Sequence, residues 1–102
     1  MVDRKVAVLR ADASSSIGVG HVMRSLSLGE ALLDEGFGVE LVSFGLAPSL
    51  QSLATSCGIN VVELPCAPRS SEDAQFVSTR NADIVVVDGY EFSREFFKVL
   101  EK

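Results

Sequence analysis

The chain has 102 residues and a net charge of −5, with 47% apolar and 23% charged residues. That length allows one domain with a modest core, and that mix excludes a disordered chain. The acidic balance argues against nucleic-acid binding, which needs a basic surface, but leaves room for a local phosphate site built from backbone N–H groups at a helix start.

Near the N-terminus, Asp3-Arg4-Lys5 is followed by only Val6 to Leu9 before Arg10, too short an apolar core for a secretory signal. No apolar run approaches the ~20 residues of a membrane span. A cytoplasmic protein is expected. Cys57 and Cys66 match no zinc or redox spacing and read as small hydrophobes. With a single histidine, neither a metal site nor a cofactor is expected.

Lys5 to Ala11 (KVAVLRA) is β-branched and apolar and predicts a strand. Asp12 to Gly20 holds three serines and two glycines and predicts a loop. From His21 to Glu35 the apolar residues Val22, Met23, Leu26, Leu32 and Leu33 recur at helical spacing, while Arg24, Glu30, Asp34 and Glu35 face away. Gly36 supplies the stop. Gly29 costs this helix ~1 kcal/mol against alanine, which a close approach to the sheet would explain.

Val39 to Phe44 predicts a second strand, Pro48 to Cys57 a short helix with proline in its first turn, and Asn60 to Leu64 a third strand. A proline-containing loop, Pro65 to Ser70, leads to a helix from Ser71 to Arg80, with Glu72 and Asp73 where they suit the helix dipole. Ile84 to Asp88 (IVVVD) is a continuous apolar run, expected in the middle of a parallel sheet. Ser93 caps a last helix through Leu100, with Phe96, Phe97 and Leu100 as its inner face.

The alternation predicts an α/β fold, a doubly wound parallel sheet of about four strands with helices on both faces. The whole chain, 1–102, reads as one Rossmann-like domain. It stops on an amphipathic helix without a glycine, so it is expected to be the N-terminal part of something longer.

In such sheets ligands sit beyond the carboxyl ends of the strands, where the loop Asp12 to Gly20 lies. Gly18 and Gly20 permit a sharp turn into the helix, whose free N–H groups attract an oxyanion, and His21 stands at that edge. The loop is not a dinucleotide fingerprint, since Met23 stands where the third glycine belongs, and no Walker A lysine is present. Ser14, Ser15 and Ser16 offer hydroxyls but have no visible base and no Gly-x-Ser-x-Gly frame.

Arg10-x-Asp12, then Gly18-x-Gly20-His21-Val22-Met23-Arg24, then Leu28 and Ala31-Leu32, resemble the opening of the UDP-sugar hydrolase of pseudaminic acid biosynthesis. That family includes proteins of spore coat polysaccharide biosynthesis and is similar to the MurG-type glycosyltransferases, with two doubly wound domains facing a cleft (the GT-B fold). Val87-Asp88-Gly89-Tyr90 resembles the family's Asp-His-Tyr or Asp-Gly-Tyr. Gly89 departs from the first form, so no histidine role carries over there.

The resemblance implies the N-terminal domain of a hydrolase that releases UDP from a 2,4-diacetamido-2,4,6-trideoxyhexose by water attack at the anomeric carbon, without metal. It makes His21 the catalytic base and Arg10, Asp12, Gly18, Gly20, Arg24, Asp88 and Tyr90 the residues that bind or frame substrate. Each has a structural alternative: an ion pair or loop anchor for Arg10 and Asp12, a solvated charge for Arg24, a helix cap for Asp88. The implied partner is a C-terminal nucleotide-binding domain, in cis or as a separate subunit, and without it no useful activity is expected. The alternatives are the acceptor domain of a GT-B glycosyltransferase in surface polysaccharide synthesis and a non-enzymatic ligand- or partner-binding module.

Overall fold

The computed structural model describes residues 4–14, 17–90 and 92–101. Strands and helices alternate: β1 (Val6–Ala11), α1 (Gly20–Asp34), β2 (Gly38–Ser43), α2 (Pro48–Ser56), β3 (Asn60–Glu63), α3 (Ser71–Ser78), β4 (Ile84–Asp88) and α4 (Arg94–Leu100). All strand pairs are parallel, and the four strands lie in the order β3-β2-β1-β4. The α/β doubly wound class expected from the alternation is the fold observed.

The chain adds β2 and β3 on one side of β1, then crosses back to place β4 on the other. Right-handed crossovers require the returning helix to lie on the opposite face, and the core divides that way. Ala7, Leu9 and Ala11 of β1 pack with Val22 and Leu26 of α1 and Ala54 of α2. Val8, one residue out of phase, packs with Val42, Leu64 and Val77 of α3, and Leu100 of α4 lies against the same cluster. Strand side chains alternate between faces, so the odd positions of β1 serve α1 and the even positions, Arg10 among them, serve α3.

Gly29 marks where α1 presses on the sheet. A Cβ there would lie 2.7 Å from Ile59 Cδ1 and 3.2 Å from Leu9 Cδ1, so the close approach expected for this glycine is present. Met23 differs from the helical reading: it is exposed, because the apolar stripe at this end of the helix narrows to Val22, Ser25, Leu26 and Gly29.

β4 corrects a second expectation. Its apolar run lies at the edge of the sheet and is only half-buried, with Ile84 38% exposed. β1 is an inner strand, and five of its six residues are buried. A run of valines reports β-propensity and an apolar environment, not the number of neighbouring strands. In α4, Phe96 is buried and Leu100 half-buried, while Phe97 is exposed. Among the described residues no helix is long and apolar enough to cross a membrane.

Candidate active site

The direction of winding reverses between β1 and β4, and the carboxyl ends of these two strands form the switch point where such folds bind ligands. Ala11, the last residue of β1, pairs in register with Asp88, the last residue of β4. The loops leaving these strands therefore start side by side.

The β1 loop folds back on itself. Gly18 N–H donates to the Ser14 carbonyl at 2.7 Å and Ile17 N–H to Ser14 Oγ at 3.1 Å. Gly18 has φ +84°, a left-handed conformation that favours glycine, and turns the chain into α1. No side chain caps α1, and its first turn holds no acidic residue. The start of the helix thus keeps its partial positive charge. Ser15 and Ser16 lie outside the described residues.

His21 sits in the first turn of α1 and is buried. Its Nδ1 lies 2.9 Å from Asp88 Oδ1. Arg24, three residues on and so on the same helix face, donates from Nε to Asp88 Oδ2 (3.1 Å) and from Nη2 to Asp88 Oδ1 (2.9 Å). The same Nη2 lies 2.7 Å from His21 Nδ1. Hydrogen bonds from Arg24 hold Asp88 below the usual carboxylate range, against a smaller opposing effect of burial. The Tyr90 ring meets the imidazole edge-on, with centroids 4.9 Å apart.

Beneath this triangle lies a buried ionic cluster. Arg10, fully buried, donates from Nε and Nη2 to the two carboxylate oxygens of Asp73 (2.9 and 2.8 Å) and from Nη1 to Asp12 Oδ1 (2.7 Å). Burial disfavours the Arg10 charge, but the hydrogen bonds and charges of the two aspartates outweigh it and raise its pKa. Asp12 Oδ1 also accepts from Phe44 N–H (2.8 Å) and Ser43 Oγ (3.2 Å). Burial pushes the Asp12 carboxyl up, and these bonds together with the Arg10 charge push it further down, to a net lowered pKa. Asp12 Oδ2 is buried without a hydrogen bond, and Arg69 Nη1 stands 3.9 Å from it.

A cavity of 410 Å³ opens over both clusters, lined by Asp12, His21, Arg69 and Asp88 with Ile17, Gly89, Tyr90 and Phe92. Of the residues expected at a site, His21, Asp12, Asp88 and Tyr90 line it. Arg24 touches it through His21 and Asp88, and Gly18 and Gly20 shape the loop and the helix start. Arg10 does not line the cavity: its donors face Asp73, Asp12 and the Val42 carbonyl (3.4 Å). Asp12 anchors the end of β2 through Phe44 and Ser43. Asp88 does not cap the helix that follows it, since Ser93 caps α4 by accepting from Phe96 N–H.

Asp73, Arg69 and Phe92 did not stand out as site residues in the sequence. Asp73 was legible only as an acid in a first turn; Ser70 three residues earlier, which caps it, was the missed signal for its fixed position. Arg69 has a left-handed backbone, φ +65°, with its N–H donated to Asp73 Oδ2 at 2.7 Å. No sequence pattern forecasts that conformation in an arginine. Both cysteines are free and half-buried. Among the described residues no three His, Cys, Asp or Glu side chains are placed to hold a metal ion.

Comparison of the chain with family models, with curated proteins and with solved structures finds no match. The site is therefore read from its own chemistry. An imidazole at a cavity wall, with one nitrogen engaged by a carboxylate and the other without a hydrogen-bond partner among the described residues, is equipped for proton transfer.

Proposed function

We propose that this chain is the sugar-side domain of a cytoplasmic enzyme acting on a nucleotide-activated sugar, a hydrolase that releases UDP from a 2,4-diacetamido-2,4,6-trideoxyhexose. His21 is the general base that takes a proton from water as it attacks the anomeric carbon. The observation that carries this reading is the His21 Nδ1–Asp88 Oδ1 contact of 2.9 Å at the mouth of the cavity. When Asp88 accepts the Nδ1 proton, Nε2 keeps its lone pair and stands ready as a base.

Two further features support it. The uncapped start of α1 offers N–H groups and partial positive charge to a leaving diphosphate. The cavity combines an exposed aromatic ring, Tyr90, with carboxylates and an arginine, a lining suited to a polar ring-shaped ligand. The uridine is assigned to a second, nucleotide-binding domain in cis or in a partner subunit.

The test is turnover of the UDP-linked sugar with that second domain present. UDP and free sugar are expected to appear without any acceptor. His21→Gln is expected to lower kcat by about 10²–10⁴, the usual worth of a general base, with substrate affinity little changed. Full turnover by the variant removes His21 from the chemistry. Product that forms only when an acceptor alcohol is added makes the enzyme a transferase.

A further inference from the structure

Two groups on the cavity wall lack the partners their chemistry requires. Asp12 Oδ2 is buried and accepts no hydrogen bond, although the other oxygen, Oδ1, accepts from Arg10, Ser43 and Phe44. The Arg69 guanidinium makes no hydrogen bond among the described residues, and its Nη1 stands 3.9 Å from Asp12 Oδ2, beyond hydrogen-bond reach. Buried polar groups are paired as a rule, so an unpaired one needs a reason.

One carboxylate holds both groups in place. Asp73 Oδ2 accepts from Arg69 N–H at 2.7 Å and from Arg10 Nη2 at 2.8 Å, and Arg10 Nη1 donates to Asp12. The left-handed backbone of Arg69, φ +65°, is unfavourable for a residue with a Cβ, yet it is kept, and the side chain lines the cavity.

The charges around the cavity already balance. Arg10, Arg24 and Arg69 meet Asp12, Asp73 and Asp88, three cations against three anions. The pair Asp12–Arg69 therefore suits a neutral group. A guanidinium only donates and a carboxylate only accepts, so that group must do both, on one side. A secondary amide points its C=O and its N–H in opposite directions. A hydroxyl does both through one oxygen. An oxygen bonded at ~2.8 Å to two partners in tetrahedral directions holds them ~4.6 Å apart. Arg69 Nη1 and Asp12 Oδ2 then need to part by only about 0.7 Å. The Arg69 side chain, 30% exposed, has room to swing outward by that much.

We propose that Asp12 and Arg69 form a subsite for a hydroxyl group of a carbohydrate ligand, with Asp12 Oδ2 accepting the hydroxyl proton and an Arg69 N–H donating to the hydroxyl oxygen. Tyr90 and Phe92 on the same cavity supply flat apolar faces for the sugar ring. Which hydroxyl is read rests on the proposed function. In the pyranose form of a 2,4-diacetamido-2,4,6-trideoxyhexose joined to UDP at carbon 1, carbon 3 bears the single free hydroxyl. The subsite reads carbon 3, while His21 and the start of α1 serve the anomeric carbon and the diphosphate.

The test is binding to the 102-residue chain, followed by ¹H–¹⁵N NMR, of two methyl glycosides of that sugar: one intact, one lacking the hydroxyl on carbon 3. The intact glycoside is expected to give saturable shifts that include Arg69. The 3-deoxy glycoside is expected to bind about 10–100-fold more weakly, the usual worth of hydrogen bonds to charged groups. Arg69→Gly removes the donor and suits the left-handed backbone, so this variant is expected to fold and to lose most of the preference for the intact glycoside.

Equal affinity of the unaltered chain for the two glycosides, or no saturable shift with the intact one, overturns the subsite. So does a preference that Arg69→Gly leaves unchanged. Binding is read here without turnover. A hydrolase assay that fails leaves a positive result standing, and a failed subsite leaves the reaction assigned to His21 standing.

Discussion

Arg10 is the cation between two buried carboxylates, and its replacement by methionine tests the ionic cluster directly. The change removes both hydrogen bonds to Asp73 and the one to Asp12. Asp73 keeps the Arg69 N–H, and Asp12 keeps Phe44 N–H and Ser43 Oγ. Asp73 then faces no buried counter-charge, and Asp12 only the half-buried Arg69 guanidinium, 3.9 Å from its Oδ2. Breaking a buried pair by removing one partner costs about 3–5 kcal/mol. That is a large share of the ~5–15 kcal/mol by which a domain is stable. At about 4–8 °C per kcal/mol for a chain of this size, Tm should fall by roughly 12–40 °C.

The pH dependence should change as well, and its sign is fixed. In the unaltered protein Asp12 is depressed, so its contribution is present above the ordinary carboxylate pKa of ~3.9 and is lost as pH falls through its lower folded value. Without Arg10 the burial of Asp12 loses its main counterweight and its carboxyl moves upward, so Arg10→Met should gain stability as pH falls from roughly 7 to 5. The chain has no tryptophan, so urea unfolding is best followed by far-ultraviolet circular dichroism. Adding Asp73→Asn to Arg10→Met should recover part of the loss, since it removes one uncompensated charge. A loss under about 1 kcal/mol, the level of a surface pair, would refute the reasoning. So would a stability of Arg10→Met that does not vary with pH across that window.

Gly29→Val should destabilise the chain by about 1–3 kcal/mol through overpacking, because its Cβ alone meets Ile59 Cδ1 at 2.7 Å and Leu9 Cδ1 at 3.2 Å, both on buried residues. Urea midpoints measure this, and an unchanged midpoint would mean that α1 does not press on the sheet there. Asp88 should titrate below the usual carboxylate range in a carboxyl ¹³C NMR titration, and Arg24→Met should move that titration upward, because Arg24 is the main cause of the depression. The sign follows: the His21–Asp88–Arg24 triangle is intact above the ordinary carboxylate pKa and opens as pH falls through the folded value of Asp88. An Asp88 titration unmoved by the substitution rules out the pairing.

The sequence by itself determined the order of elements and the class of fold, because hydrophobic periodicity and turn residues are local signals. KVAVLRA, the helical spacing after His21, Pro48 at a helix start and Ser93 at a cap all act within a few residues of where they stand. Gly29 was legible for the same reason: an unfavourable helix residue in a strong helix implies a compensating contact. His21 was legible because a glycine-rich loop entering a helix after the first strand marks the ligand edge of such a sheet. Tertiary structure decided the rest. Only the return of the chain across the sheet set β4 at its edge, put Asp88 in register beside Ala11, and so brought a carboxylate to an imidazole 67 residues away. Only the alternation of β1 against α3 turned Arg10 inward to Asp73 and away from the cavity. Arg69 reached the cavity through a left-handed backbone that no local pattern encodes. Spacing along the chain carries propensity and periodicity; the pairing of distant charges depends on which faces the crossovers bring together, and that is settled by packing.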